Sequence, residues 1–195
     1  MKSKTLDNYG FVDSVLPTDL FETIKEECFV AQEQNKQMIS GLSGTGVPEH
    51  YWLNKSQQPL NNFLIKMLNE FNWNFPGIYN VKLLTSDLPF AFGKSWINFQ
   101  KQGEFIPNHT HDGLYSYTIW IQIPYSESDD KHAGNFEFTY TDIIGNIKQH
   151  IIPLSTKDEG RIILFPSRLP HTVYPFYNTN QTRISVSGNI LLDSK

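Results

Sequence analysis

The sequence predicts a mainly β domain, a barrel or sandwich of short strands braced by N-terminal helices. Three observations carry this reading. Phe (14) and Tyr (9) are abundant, and aromatic residues favour strands. Near residue 80 the apolar pattern changes from the helical to the strand period. Helical patterns come first and strand patterns follow, which argues against alternating α/β units.

The elements can be justified in order. Leu16-Pro17-Thr18-Asp19 reads as a helix entry, with Asp19 and Glu22 spaced as a capping box. Phe21, Ile24, Cys28 and Ala31 then recur at helical spacing. Residues 36–54 read as a Gly-, Ser- and Pro-rich loop, a lid or a long connection. Its 41–47 stretch, with Tyr51 and Trp52, is a candidate entrance. Leu60, Phe63, Leu64, Met67, Leu68 and Phe71 form a wide apolar stripe, the mark of a core-packed helix. Pro59 suits its first turn. Beyond residue 80, alternation predicts strands over 96–100, 115–123, 135–140, 147–154, 161–165 and 183–191. Ile144-Gly145-Asn146 supplies a hairpin turn. Six to eight short strands separated by turns indicate a barrel or sandwich. The 195 residues suit a single domain: 1–80 as helical N-terminal support, 81–195 as the β core.

A net charge of −4, with no Lys/Arg cluster, excludes a nucleic-acid surface. One cysteine, Cys28, excludes an internal disulfide framework and implies a reducing, cytoplasmic home. The N-terminus has no signal-peptide pattern. No run approaches the roughly 18–20 apolar residues of a membrane span.

The chemistry concentrates in His109-Thr-His111, in His171 and in Arg183. Residues i and i+2 of an extended segment point the same way, so His109 and His111 can reach one ion. His171, after a proline-rich strand end, is the best third ligand. Three ligands on one face of an octahedron leave positions open for dioxygen and a bidentate co-substrate. Imidazole also suits zinc, nickel and copper, so ligand type alone does not choose the metal. His50, His132 and His150 read as surface or hairpin residues. Arg183 opens the last strand and shares a face with Ser185, Ser187 and Asn189. Arginine suits bidentate carboxylate recognition, and Ser185 can add a hydroxyl donor. Asn98, and Thr118, Trp120 and Gln122 on one face of a strand, are further candidates for co-substrate or substrate contact.

These segments together resemble the iron(II)/2-oxoglutarate-dependent dioxygenases, in particular the prolyl-4-hydroxylase-like branch and small bacterial and phage oxygenases. Gly103-Glu-Phe-Ile-Pro-Asn-His109-Thr-His111 resembles the family's Gly-x-x-x-x-x-His-x-Asp segment. Tyr117–Pro124 resembles the strand after it, and Gly134-Asn-Phe-Glu-Phe138 the Gly-Gly-x-Leu-x-Phe segment. Gly160–Ser167 resembles the approach to the distal histidine, and Arg183-Ile-Ser185 the Arg-x-Ser pair. The resemblance spans roughly 90–192. It implies a double-stranded β-helix (jelly roll), Fe(II) as metal and 2-oxoglutarate as co-substrate. It also implies hydroxylation of a peptide or small molecule with release of succinate and CO2.

One departure stands out. The family's second ligand is normally Asp or Glu, and here it is His111. A three-histidine triad, a carboxylate from Asp112, and a vacancy filled by chloride as in the related halogenases are the competing readings. Two rivals come from outside the keto-acid class. One is a non-catalytic jelly-roll binding or virion structural module; the other is a cupin-type dioxygenase with three histidines and no keto acid.

Overall fold

The computed structural model describes residues 10–33, 49–77, 90–125 and 132–192. Their elements are β1 (Val12–Val15), α1 (Thr18–Glu33), β2 (Glu49–Trp52), α2 (Gln57–Asn74), β3 (Phe90–Phe92), β4 (Trp96–Gln100), β5 (Ile106–His109), β6 (Tyr115–Gln122), β7 (Phe136–Thr141), β8 (Ile147–Ile152), β9 (Arg161–Pro166), β10 (His171–Val173) and β11 (Arg183–Leu192). The larger sheet runs β1-β9-β6-β11-β4-β2, with β3 also on β11. The smaller sheet runs β5-β10-β7-β8. The strand pairings are antiparallel. This is the jelly-roll-like arrangement the resemblance implies, braced by two helices among the described residues.

Alternation along β6 and β11 places the two cores. Tyr115, Tyr117, Ile119 and Ile121 pack with Ile184, Val186 and Ile190 against the helices. The opposite faces turn toward the smaller sheet. There Trp120 packs with Phe136, Phe138, Phe165 and Ile163. The apolar stripe of α2 does what its period requires: Leu60, Leu64, Met67, Leu68 and Phe71 are buried. From α1, Ile24, Cys28 and Ala31 are buried as well.

The two helices are tied together by one side chain. Glu27 of α1 accepts the backbone N–H groups of Asn54, Lys55 and Ser56 at 2.6, 2.8 and 2.8 Å. Ser56, at the head of α2, makes no side-chain cap of its own, so a carboxylate from a neighbouring helix satisfies orphan donors there. Burial pushes the Glu27 pKa up, but these hydrogen bonds outweigh it and leave it below its usual value. Leu53 then donates to the Ser95 carbonyl, which fixes β2 beside β4.

Three sequence expectations change. The first helix begins at Thr18, so Asp19 lies inside its first turn and is not a cap; its carbonyl accepts from Thr23 Oγ1. The N-terminal third contributes strands as well as helices, because β1 and β2 pair with β9 and β4. Tyr51 does not shape an entrance: it is 6% exposed and packs edge-on against Phe99. Trp52 is the exposed one, beneath Lys94. The 41–47 stretch lies outside the described residues.

Candidate metal centre

Two of the three predicted histidines come from neighbouring strands, and the third from the turn after one of them. His109 ends β5, His171 begins β10, and the two are direct partners across the ladder. Directly opposed residues bring their side chains within reach of each other. His111 follows two residues after His109, and its N–H donates to the Ser167 carbonyl at 2.9 Å. Gly113 then turns the chain into β6 with φ of +124°. A Cβ there would approach the Ile190 carbonyl at 3.1 Å, so glycine suits this turn.

The ligand nitrogens of His109, His111 and His171 all lie within 4.8 Å of one another. Metal–imidazole bonds are about 2 Å long, so nitrogens grouped this closely can share one ion after the side chains adjust. Two of the rings have defined tautomers. His109 Nδ1 sits 2.7 Å from the Pro107 carbonyl, and His171 Nδ1 sits 2.9 Å from the Leu169 carbonyl. A carbonyl oxygen only accepts, so each Nδ1 carries the proton and each Nε2 keeps its lone pair for a metal. His171 is further clamped between Phe136, stacked at 5.4 Å, and Phe165, edge-on at 4.9 Å. Burial and then His109 hold His111 down to about 4, against the pull of Asp112. Burial and then His109 push His171 down to about 3; the Leu169 carbonyl opposes this and His111 adds to it. Both rings are therefore neutral near pH 7, the state a ligand requires.

The same cavity, of about 140 Å³, is lined by Arg183, Asn98, Thr118 and Ser185. Arg183 is 3% exposed. Its Nη1 donates to Tyr125 Oη at 2.9 Å and to the Gly134 carbonyl at 2.7 Å. Tyr125 Oη donates to the same carbonyl at 2.6 Å. Among the described residues no carboxylate partners this guanidinium. A buried, oriented and uncompensated cation is a place for an anionic group. The donor set and the guanidinium together fit ferrous iron beside a keto dicarboxylate.

Residues 94–189 match the family model described as "Putative 2OG-Fe(II) oxygenase". That span holds the three histidines, Arg183 and Ser185. The site therefore lies in a stretch, just under half of the chain, that matches the 2OG-Fe(II) oxygenases. Ferrous iron and 2-oxoglutarate are the cofactor and co-substrate of this oxygenase, and a non-catalytic jelly roll is set aside.

Solved structures agree in fold. A prolyl-4-hydroxylase from Pseudomonas putida is 16% identical with a TM-score of 0.64, over 92% of this chain and 91% of that one. A prolyl hydroxylase from Trichoplax adhaerens, in complex with a hypoxia inducible factor peptide fragment, is 12% identical with a TM-score of 0.56, over 95% and 83%. The epimerase SnoN, in complex with Fe3+, alpha ketoglutarate and nogalamycin RO, is 14% identical with a TM-score of 0.55, over 95% and 79%. No curated protein matches the sequence.

The oxygenase does not bring every predicted residue to the cavity. Asp112 points to solvent, 94% exposed, and pairs with Arg168 at 2.9 Å. Gln122 stands away from the lining, its Nε2 donating to the Thr182 carbonyl. Asn98 donates to the hydroxyls of Ser185 and Ser187 at 3.2 Å each, and Thr118 shares a hydrogen bond with Ser187. The sequence reading missed His50. Assigned to a loop, it lies instead on β2, opposite Asn98, 5% exposed and lining the cavity. Burial lowers its pKa, with Asn98 opposing. Strand alternation could have found it, because His50 and Tyr51 must face opposite ways. Tyr125, the partner of Arg183, carried no signal in the sequence.

Proposed function

We propose that this oxygenase hydroxylates a small-molecule or peptide substrate, with His109, His111 and His171 holding Fe(II). Arg183 and Ser185 receive the distal carboxylate of 2-oxoglutarate, and Asn98 and Thr118 line the co-substrate's flank. The observation that supports this reading best is the convergence of three imidazole nitrogens within 4.8 Å, in the cavity that also holds the unpaired guanidinium. Asp112 is disfavoured as a ligand by its exposure and its Arg168 partner. Arg183 favours a keto-acid mechanism over a cupin-type reaction that needs no dicarboxylate.

When bound, the iron supplies oxygen activation coupled to oxidation of the keto acid to succinate and CO2. The chain's own contribution is positional. The Pro107 and Leu169 carbonyls fix two imidazoles, Phe136 and Phe165 hold His171, and Tyr125 with the Gly134 carbonyl aims Arg183.

The reading takes residues 1–195 as one oxygenase domain without nucleic-acid or membrane partners. Support for this is the acidic balance and that no helix among the described residues is long and apolar enough to cross a membrane. A free, buried Cys28 is in keeping with a cytoplasmic home. An anaerobic titration with Fe(II) and 2-oxoglutarate tests the site. The expected result is a weak visible charge-transfer band, lost in His171→Ala. No band in the unaltered protein rejects the metal assignment.

A further inference from the structure

The walls of the cavity carry an unbalanced charge. Metal-bound histidines are neutral, so the triad adds no negative charge to the ion. Ferrous iron brings two positive charges and Arg183 one, because a guanidinium stays protonated. The 2-oxoglutarate dianion cancels two. Among the described residues that line the cavity, none is Asp or Glu. The nearest buried carboxylate, Glu137, belongs to β7 but lies between the inward-facing Phe136 and Phe138. It turns to the outer side of the smaller sheet, held by Gln149 at 3.0 Å and Tyr174 at 3.3 Å. Asp112 is spent on Arg168 in solvent. Gln100 Oε1, buried and without a donor, is only an amide dipole.

One positive charge is therefore left in a recessed, partly buried pocket, where an uncompensated charge is costly. Resting on the metal and co-substrate assignment above, we infer that the loaded site takes one further monoanion, supplied as the carboxylate of the prime substrate. The side of the cavity formed by Trp96, His50 and His111 is the place for it. Trp96 lies 5.7 Å from the His111 ring, and His50 is a buried imidazole outside the triad that can donate an N–H. The same wall offers a cationic substrate no acidic partner among the described residues.

The test uses the full chain, anaerobic, with Fe(II) and saturating 2-oxoglutarate at constant ionic strength. Propionate, propionamide and chloride are titrated separately. The readouts are the shift of the visible band and the fluorescence of Trp96 and Trp120, which line the cavity. Propionate is expected to bind at least about tenfold more tightly than propionamide, a discrimination by charge alone. His111→Asp and Asn98→Asp each add a negative charge to the cavity. Each is expected to weaken propionate by about tenfold or more in samples whose visible band shows 2-oxoglutarate still bound, and Asn98→Asp leaves the three histidines in place. Equal binding of propionate and propionamide, or propionate affinity unchanged in Asn98→Asp, overturns the inference. Binding of chloride but not propionate overturns its assignment to the substrate. Absence of any band before propionate is added rejects the metal assignment instead.

Discussion

Each side chain at the centre does one separable job. Arg183 combines near-complete burial with two anchoring acceptors, so its role is to present charge in a fixed direction. Arg183→Gln is expected to raise the Kd for 2-oxoglutarate by about 10- to 100-fold, the range for losing a hydrogen bond to a charged group. Calorimetry on the metal-loaded protein measures it; an unchanged Kd would remove Arg183 from the co-substrate site. His109 and His171 show why residue type is not enough. Both hand Nδ1 to a carbonyl two residues back, a detail of backbone path that no sequence pattern encodes. The strand period did encode that His109 and His111 point together, and that Arg183 and Ser185 share a face. Sequence could not place Asp112, because its exposure depends on the turn at Gly113 and on Arg168 across the surface.

At the scale of elements, Glu27 joins α1 to α2. Its folded pKa lies below the usual 4.5, so the ionised form is the one stabilised by folding. Its contribution is fully present above the unfolded value and is lost as pH falls through the lower, folded value. Glu27→Gln is expected to lower stability at pH 7 and to flatten the acid limb of a stability-against-pH curve. Chemical denaturation across pH 3–7 checks this (a range set by the ordinary carboxylate values); an acid limb identical to wild type would refute it. The β6–β11 pairing offers a second check. A Cβ on Gly188 would stand 2.3 Å from Tyr117 Oη, which shares a buried hydrogen bond with Ser95. Gly188→Ala is expected to cost about 1–3 kcal/mol, the usual penalty for overpacking, read as a lower denaturation midpoint. The helices and the long strands were legible from their periods. β1, β2, β3, β5 and β10 were not: three or four residues carry too little alternation, and their pairing partners are distant in sequence. Missing β2 is what hid His50.

Across the whole molecule, the two sheets divide the labour. The larger sheet buries one face on the helices and gives Arg183, Asn98, Ser185 and Thr118 from the other. The smaller sheet gives His109 and His171, and the turn beyond β5 gives His111. Neither sheet contains the site alone, so loosening the packing between the two sheets should weaken metal and co-substrate binding together, whereas loosening the helix-side core should not. Leu64→Ala, deep in the helix-side core, is expected to cost about 2–5 kcal/mol while leaving the affinity for Fe(II) in the still-folded protein unchanged. Thermal melts with and without metal separate the two effects; a metal affinity that falls in the folded state would show that the core shapes the triad directly. The order of segments from His109 to Arg183 was enough for the sequence to indicate this architecture. The residues that close it come together only in the fold, Phe136 and His50 through strand pairing and Tyr125 through its hydrogen bonds to Gly134 and Arg183.

The most direct test is X-ray absorption at the iron edge on the anaerobic protein loaded with Fe(II) and 2-oxoglutarate. Three imidazole ligands at about 2.0–2.2 Å are expected, with one lost in His111→Ala. A first shell with two imidazoles and a protein carboxylate, unchanged in that variant, would contradict the three-histidine centre.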